Sequence, residues 1–497
     1  MEDININSVN IKKNYNFFFI ILITVIIITG VFVRTKMLFV NDSFWFDTCA
    51  LGANITRNFT DFFKPLDYLQ AAPPFFMIIS KFLCSVFYNG SNLEQKDFIL
   101  RLVPYFSGIL SMPLFSFLVQ KMFKNYFITT VCTAFFSYNN YLIYYSREFK
   151  PYSSDVLISL VILLIFWTIK LKNCSTVKLF LYSLIFTLAP WFSYASIFIL
   201  LSGFLIITFE GIKEKALNFK TFSLLYLPVI ISILIFYNFY YINIYNEHSE
   251  RMFYHWQNIE PSFFTFKNFG TMFIDKMHNM FALNWGIWFY IFGIINIALF
   301  IYLKQLRGLI FIMFPVILSI GASFLNIYPF DKRLVLFLIP LFIILYSQII
   351  TVISNNKKAI PVLTLIILLY TMKTVQAPYH YWIYIKSNVR ELYGILKENN
   401  PELKNVISIN ELYEYYSGKK CVFSDIFSFD RDIKRSKIPQ YLKTAQNGNY
   451  WIFLADSNPL YAKKMKEYLY GNYNVVKMYY NPDYSNTFLM EVEIKNN

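Results

Sequence analysis

The sequence is short of cysteine, histidine and charged residues, and each shortage excludes a class of protein. It contains five cysteines and four histidines in 497 residues. An odd cysteine count and the lack of a His/Cys spacing pattern argue against a disulfide framework and a structural zinc site. Charged residues make up 15% of the chain and hydrophobic residues 56%, a balance that few soluble folds tolerate. The composition therefore favours a protein that lies in a lipid bilayer.

Long apolar segments fill the chain instead. Residues 16–33 are almost wholly apolar, follow Lys12 and Lys13, and are too long for the hydrophobic part of a signal peptide, so they predict a retained anchor. Further runs long enough to cross about 30 Å of hydrocarbon lie at 102–120, 126–145, 155–171, 178–193, 195–209, 221–244, 284–303, 308–326, 334–353 and 359–376. The sequence predicts a polytopic α-helical membrane protein with about eleven transmembrane helices, within a range of about 11 to 13.

The orientation depends on the apolar segment 73–89, which either spans the membrane or lies in the interface after its Pro73-Pro74 start. If it lies flat, every short turn on the cytoplasmic side is basic, as the distribution of Lys and Arg in membrane proteins requires. These turns contain Lys121 and Lys124; Lys170, Lys172 and Lys178; Lys213, Lys215 and Lys220; Lys304 and Arg307; and Lys357 and Lys358. We therefore expect a cytoplasmic N-terminus and a first outer loop over 34–101.

The formal net charge of +15 fits orientation on an anionic leaflet, and without a basic run or an RNA-binding motif no nucleic acid is expected as a partner. Beyond Met372 the spanning runs stop. Short β-rich and amphipathic pieces then predict a small α/β domain; they lie at 389–397, 406–409, 451–455, 463–470, 475–480 and 487–494. The expected organisation is a transmembrane domain over 1–376 and an extracytoplasmic domain over 377–497.

Five short motifs follow one another along residues 16–350. They are Trp45-Phe46-Asp47-Thr48, Ala72-Pro73-Pro74-Phe75, Arg101-Leu102-Val103-Pro104 with Ser107-Gly108, Tyr145-Ser146-Arg147-Glu148-Phe149-Lys150-Pro151-Tyr152, and Tyr328-Pro329-Phe330 with Arg333. In this order they resemble the GT-C glycosyltransferases that use polyprenyl-phosphate sugars, in particular the protein O-mannosyltransferase and aminoarabinose-transferase branch with its Rgt-like bacterial members. The chain departs from that pattern at Thr48, where the family usually has a second acid.

The resemblance implies a GT-C-like fold in the plasma (inner) membrane and an inverting glycosyltransferase activity. The donor would be a polyprenyl-phosphate sugar, and the acceptor a hydroxyl of a protein, a lipid or a cell-wall glycan. In some relatives a divalent metal ion, Mg or Mn, bridges the donor phosphate and the acids. Thr48 weakens the case for a metal in this chain, because a threonine lacks the carboxylate ligand that such ions prefer.

The chemistry of this transfer assigns roles to the outward-facing residues. An acceptor hydroxyl needs a carboxylate to take its proton, and Asp47 is the predicted base. The departing phosphate gathers negative charge, so it needs cations; the predicted ligands are Arg333, Lys150, Lys332 and Lys64. The residues predicted to support the site or to stack on the sugar are Glu148, Tyr152, Trp45, Tyr194 and Asp155.

Each of these residues also has a plainer interpretation. Asp47 alone caps a helix over 48–55, Glu148 pairs with a neighbouring cation at the surface, and Asp155 offsets a helix dipole. Arg333 then anchors the chain at the interface, and the aromatic residues form a belt there. For the whole chain, the alternatives are a polytopic transporter or flippase of a lipid-linked substrate, or an inactive scaffold of the same fold.

Overall fold

The computed structural model describes residues 3–90, 92–240, 256–257, 261–281, 287–354, 389–408, 412–419, 423–424, 438–454, 459–480 and 487–495. The chain divides into two compact units. The first unit comprises Met1–Phe39, Ala72–Ile79 and Arg101–His380, and the second comprises Val40–Ala71, Ser80–Leu100 and Tyr381–Asn497. The second unit therefore combines C-terminal residues with parts of the predicted first outer loop.

Helices of at least six residues dominate the described part of the chain. They are α1 (Asp3–Val40), α2 (Phe46–Ala53), α3 (Pro74–Phe87), α4 (Leu93–Leu100), α5 (Leu102–Phe123), α6 (Tyr126–Ser137), α7 (Asn140–Tyr145), α8 (Tyr152–Thr168), α9 (Thr176–Phe192), α10 (Ser196–Lys213), α11 (Leu227–Tyr240), α12 (Phe269–Phe281), α13 (Ile287–Tyr302), α14 (Leu306–Phe324), α15 (Ile339–Tyr346), α16 (Gln348–Ser354), α17 (Val389–Asn399), α18 (Leu412–Ser417), α19 (Ile438–Thr444) and α20 (Pro459–Asn472). The strands are β1 (Val406–Ser408), β2 (Phe423–Ser424), β3 (Gly448–Leu454), β4 (Asn474–Tyr480) and β5 (Phe488–Ile494).

Among the described residues, five helices are long and apolar enough to cross a membrane: Asn16–Val40, Leu93–Phe123, Ser196–Lys213, Phe219–Phe239 and Leu306–Phe324. Shorter apolar helices coincide with the other predicted runs, except 359–376, which lies outside the described residues. Large apolar side chains on these helices are exposed, a surface that water penalises and lipid does not. The predicted polytopic helical membrane protein is therefore confirmed.

The run 126–145 is not one helix, as the hydropathy predicted, but two. Asn139 leaves the helical conformation, with φ −63° and ψ 123°, and its side chain accepts a hydrogen bond from the amide of Leu142. The side-chain amide of Asn139 also donates to the carbonyl oxygen of Met280 at 3.0 Å. α6 therefore ends at Ser137, and Asn139 caps α7, because an asparagine side chain satisfies the free amides of a new helix.

Within the first unit, α8 and α10 pack against each other, and at Gly203 there is no room for a side chain. A Cβ atom added there would lie 2.0 Å from Cδ2 of Phe166. Phe166 has no room to yield, since it is fully buried, stacks on Phe186 at 4.4 Å between ring centres and meets the edge of Phe204 at 5.2 Å. The missing side chain at Gly203 thus allows the two helices to pack.

We expect Gly203→Ala to destabilise the protein, because overpacking a rigid core costs about 1–3 kcal/mol. The measurement is the thermal unfolding midpoint in detergent. Gly321→Ala, in α14, is the matched control: a Cβ atom there meets nothing within 4 Å, and alanine favours a helix over glycine by up to about 1 kcal/mol. Equal midpoints for the two variants would contradict this account of the α8–α10 contact.

The second unit contains a five-stranded sheet in the order β2-β1-β3-β5-β4. β1 runs parallel to β2 and β3, whereas β5 runs antiparallel to β3 and β4. A core that includes Ile452, Met490 and Leu469 joins the sheet to α20. The predicted small α/β fold of the C-terminal region is confirmed. In the same unit, α2 packs against α18.

Candidate active site

In the first unit, the segment between α7 and α8 carries three buried charged side chains. Arg147, Glu148 and Lys150 are 2%, 4% and 5% exposed. Nε of Arg147 lies 4.0 Å from Oε1 of Glu148, and Nε of Arg101 donates to the carbonyl oxygen of Arg147 at 3.0 Å. Since buried charge is costly unless it is compensated, Arg147 and Glu148 stabilise each other here. Glu148 does pair with a neighbouring cation, as its plainer interpretation expects, but that interpretation is wrong in placing the pair at the surface, because the carboxylate is buried.

Asp155 lies in the first turn of α8, as expected for a residue at the start of a span. It is 6% exposed, and its carboxylate bonds with the side chain of Ser193. Its Oδ1 atom has no hydrogen-bond partner among the residues that the structure describes. A first-turn acid interacts favourably with the helix dipole, and ionisable groups inside membrane proteins also mark functional sites. Both interpretations of Asp155 fit this position.

The aromatic residues predicted to contact the sugar in this unit are packed against other side chains. Tyr152 is buried, and its ring meets the edge of Tyr145 at 5.1 Å between centres. Tyr194 donates a hydrogen bond from its hydroxyl to the carbonyl oxygen of Ala72 at 2.7 Å, and its ring lies 5.4 Å from that of Phe236. This hydrogen bond from Tyr194 therefore holds the residue just before Pro73-Pro74 and α3.

Asp331 is the centre of a second group of charges in the first unit. Its Oδ2 atom lies 2.7 Å from Nζ of Lys276, and its Oδ1 atom lies 3.5 Å from Nε of Arg333. The guanidinium of Arg333 also lies 5.2 Å from the ring centre of Trp256. Tyr145 interacts electrostatically with both Arg333 and Asp331, so the motif that begins at Tyr145 and the motif that begins at Tyr328 come near each other here. Two cations against one carboxylate leave a net positive group that suits an anion.

Beside Asp331 lies an open cleft of about 470 Å³. Its lining consists of Pro261, Thr271, Met272, Asp275, Lys276, Asp331 and Lys332. Lys332, a predicted phosphate ligand, is therefore on the wall of the cleft. Sequence reasoning missed Lys276, because this residue belongs to none of the five motifs, and it gave no role to Asp331.

In the second unit, Asp47 lies in the first turn of α2. The helix begins at Phe46, and Trp45 occupies the capping position without a side-chain capping bond. Nε2 of Gln70 donates to Oδ1 of Asp47 at 3.2 Å. The alternative in which Asp47 only caps a helix over 48–55 is wrong, because the helix begins two residues earlier. The carboxylate instead lies inside the helix's first turn, where negative charge is favourable.

The neighbouring Thr48, at the position of the family's second acid, is fully buried. Lys64 differs from the other predicted phosphate ligands, since its side chain is 66% exposed and its Nζ atom lies 2.8 Å from Oδ1 of Asp61. The hydrogen bond from Lys64 holds the pKa of Asp61 below its usual value. An exposed pair of this kind contributes little to stability.

The predicted site residues are thus distributed over both units. Glu148, Lys150, Tyr152, Asp155, Tyr194, Lys332 and Arg333 belong to the first, and Trp45, Asp47 and Lys64 belong to the second. In the part of the chain that the structure describes, no three His, Cys, Asp or Glu side chains lie close enough to hold a metal ion. Asp331, the acid between Lys276 and Arg333, is already paired with these two cations. These described residues do not fit the divalent ion that the resemblance implies.

No protein-family model and no curated protein matches the sequence. Solved structures do match the fold. ArnT from Cupriavidus metallidurans bound to undecaprenyl phosphate has a TM-score of 0.54 and 12% identity, over 96% of this chain and 98% of that one. The Archaeoglobus fulgidus oligosaccharyltransferase in complex with Zn and sulfate has a TM-score of 0.51 and 12% identity, over 86% and 68%. The same enzyme tethered to an acceptor peptide with the NVT sequon has a TM-score of 0.51, over 94% and 74%, at 12% identity.

These matches cover nearly all of the chain, and they show its fold. The predicted GT-C-like membrane fold is therefore confirmed, including the small α/β region at the C-terminal end. At 12% identity the matches do not carry residue roles from one chain to another.

Proposed function

We propose that this membrane protein is an inverting glycosyltransferase that moves a sugar from a polyprenyl-phosphate donor to an acceptor hydroxyl on the extracytoplasmic face. The observation that carries the proposal is the positive group formed by Lys276 and Arg333 around Asp331 in a GT-C fold. The ArnT structure with the same fold was bound to undecaprenyl phosphate, and a polyprenyl phosphate presents the anion that such a group attracts.

In the proposed reaction, Asp47 takes the proton of the acceptor hydroxyl while that oxygen attacks the anomeric carbon of the sugar. The bond between this carbon and the phosphate oxygen breaks, and the phosphate leaves with the bonding electrons. Arg333, Lys332, Lys150 and Lys64 would neutralise the phosphate as its charge grows. A single displacement inverts the configuration at the sugar carbon.

The remaining predicted residues would support this chemistry. Glu148 would orient the buried Arg147, and the aromatic rings of Trp45, Tyr152 and Tyr194 would contact the sugar. Asp155 would supply a second acid at the start of α8. In this proposal the N-terminus is cytoplasmic, residues 1–376 form the transmembrane domain of a plasma-membrane protein, and residues 377–497 form an extracytoplasmic domain.

The test uses the full chain in proteoliposomes, a radiolabelled polyprenyl-phosphate hexose as donor, and a cell-envelope fraction as acceptor source. We expect the label to move from the lipid into the protein, lipid or glycan pool of that fraction, which also identifies the acceptor class. Label that crosses the bilayer still attached to its lipid would instead indicate a flippase, and an unconsumed donor would indicate a scaffold. Repeating the assay with EDTA, and with Mg²⁺ or Mn²⁺ restored, tests the implied metal.

A further inference from the structure

Asp97, in α4 of the second unit, is fully buried and receives three hydrogen bonds from residues of the C-terminal region. Nη1 of Arg390 donates to Oδ2 at 2.8 Å, the hydroxyl of Tyr415 donates to Oδ1 at 2.6 Å, and that of Tyr416 donates to Oδ2 at 3.3 Å. Nη2 of Arg390 also donates to the carbonyl oxygen of Asn41 at 2.8 Å. A carboxylate is stable in such a place only when its oxygens are satisfied in this way. We call Asp97, Arg390, Tyr415 and Tyr416 the Asp97 cluster.

The Asp97 cluster reaches the segment that carries Asp47. The hydroxyl of Tyr416 accepts a hydrogen bond from the amide of Phe44 at 3.1 Å, three residues before Asp47. The ring of Tyr415 lies against Gly52 near the other end of α2, where a Cβ atom would come within 2.6 Å of Cε2 of Tyr415. Tyr416 therefore holds the chain just before this short helix, and Tyr415 packs against its other end.

A second chain of hydrogen bonds leads from α18 to the carboxylate of Asp47 itself. The hydroxyl of Tyr68 bonds with Oε2 of Glu414, which is in α18 beside the two tyrosines. Nε2 of Gln70 donates to the carbonyl oxygen of Tyr68 at 3.3 Å and to Oδ1 of Asp47 at 3.2 Å. The position of α18 thus bears on both the backbone and the side chain of Asp47.

The protonation of the tyrosines is consistent with this arrangement. Burial, and then the charge of Asp97, hold the pKa values of Tyr415 and Tyr416 well above their usual value. Each hydroxyl therefore keeps its proton and donates a hydrogen bond to the carboxylate of Asp97. Tyr416 at the same time accepts from Phe44 with its lone pair, so that a single hydroxyl connects the buried acid to the start of the Asp47 segment.

α2 needs such support because it has only eight residues. Isolated helices shorter than about 12–15 residues are marginal in water, so tertiary contacts determine where α2 and its carboxylate lie. A general base must lie within about 2.6–3.2 Å of the proton that it takes, and a displacement of about 1 Å lowers a rate by as much as about 100-fold.

We infer that the Asp97 cluster makes the C-terminal α/β region a positioning element for Asp47, with Asp97, Arg390 and Tyr416 as positioning residues. This inference rests on the proposed role of Asp47 as general base. The Asp97 cluster itself takes no part in the reaction. It fixes the rotation and the starting point of α2, and thereby the direction in which the carboxylate of Asp47 points.

The test compares Tyr416→Phe and Arg390→Met in the full chain, each alone and combined with Asp47→Asn, in the donor-transfer assay. Tyr416→Phe keeps the ring and removes only the hydroxyl. It is therefore the variant that folds if Arg390→Met unfolds because Asp97 has lost the cation that is hydrogen-bonded to it. We expect each single variant to lower kcat about tenfold, with the KM for the polyprenyl-phosphate hexose unchanged. In the Asp47→Asn background we expect no further fall.

Tyr479→Phe is the matched control, because it removes a hydroxyl of the same region that bonds with Asn399 at 3.3 Å, away from the Asp97 cluster. Wild-type kcat in Tyr416→Phe would overturn the inference. The inference would also be overturned if Tyr416→Phe lowered kcat by the same factor in the wild type and in Asp47→Asn. That result would indicate a general structural role for Tyr416. Wild-type activity in Asp47→Asn alone is a different outcome, which removes the proposed base and with it the inference.

Discussion

Replacing Asp47 with asparagine is expected to lower the rate of sugar transfer by about 10²- to 10⁴-fold, the usual contribution of a general base. Asparagine has nearly the same size as aspartate, and its side-chain oxygen still accepts the hydrogen bond from Gln70. The packing of α2 is therefore retained, whereas the group that takes the proton is lost. The measurement is kcat in the donor-transfer assay, together with the Kd of the variant for undecaprenyl phosphate, which we expect to be unchanged.

The control for this variant is Asp67→Asn, in the same predicted outer loop. Asp67 is exposed, and it lies in a short 3₁₀ turn, Asp67–Leu69. We expect wild-type transfer in this control, because a surface acid outside the site has no proton to take. A similar loss of activity in both variants would mean that the effect is not specific to Asp47. Full activity in Asp47→Asn would refute the assignment of Asp47 as the base.

The helical fold could be predicted from the sequence because lipid imposes a minimum length on every apolar run. The same reasoning failed at Asn139, since two adjacent asparagines, Asn139 and Asn140, do not interrupt a hydropathy pattern, although the side chain of Asn139 can start a new helix. In the sheet, β1, β3, β4 and β5 were predicted from runs of strand-forming residues. β2 has two residues, too few for any pattern, and the strand order depends on long-range pairing that no local signal encodes.

For the candidate site, sequence reasoning could propose residues that belong to short ordered motifs, such as Asp47, Lys150 and Arg333. It missed residues that matter because of the ion pairs they form with residues far away in the sequence. Lys276 is 55 residues from Asp331, and Arg390 is 293 residues from Asp97. An ion pair between such distant positions leaves no spacing to recognise, because the fold alone brings the two groups together.

A further consequence concerns the donor phosphate, and it is tested at Arg333. We expect Arg333→Met to raise the Kd for undecaprenyl phosphate by about 10- to 100-fold, since a hydrogen bond to a charged group contributes about 1.5–3 kcal/mol. In the wild type the guanidinium of Arg333 lies over the ring of Trp256. Methionine keeps an apolar side chain beside this ring, so a loss of affinity can be attributed to the missing charge. The measurement is binding of undecaprenyl phosphate to the full chain in nanodiscs.

Two further variants separate charge from geometry at this position. Arg333→Lys retains the positive charge but loses the planar fork of donors, so its Kd should lie between those of the wild type and Arg333→Met. Lys267→Met removes an exposed cation two residues before the start of α12. We expect wild-type affinity in this variant. If Arg333→Met and Lys267→Met weaken binding equally, the attraction is that of the general positive surface, which falls steeply with added salt. A loss confined to Arg333 that persists at high salt requires a direct contact, because buried pairs are screened much less than exposed charges.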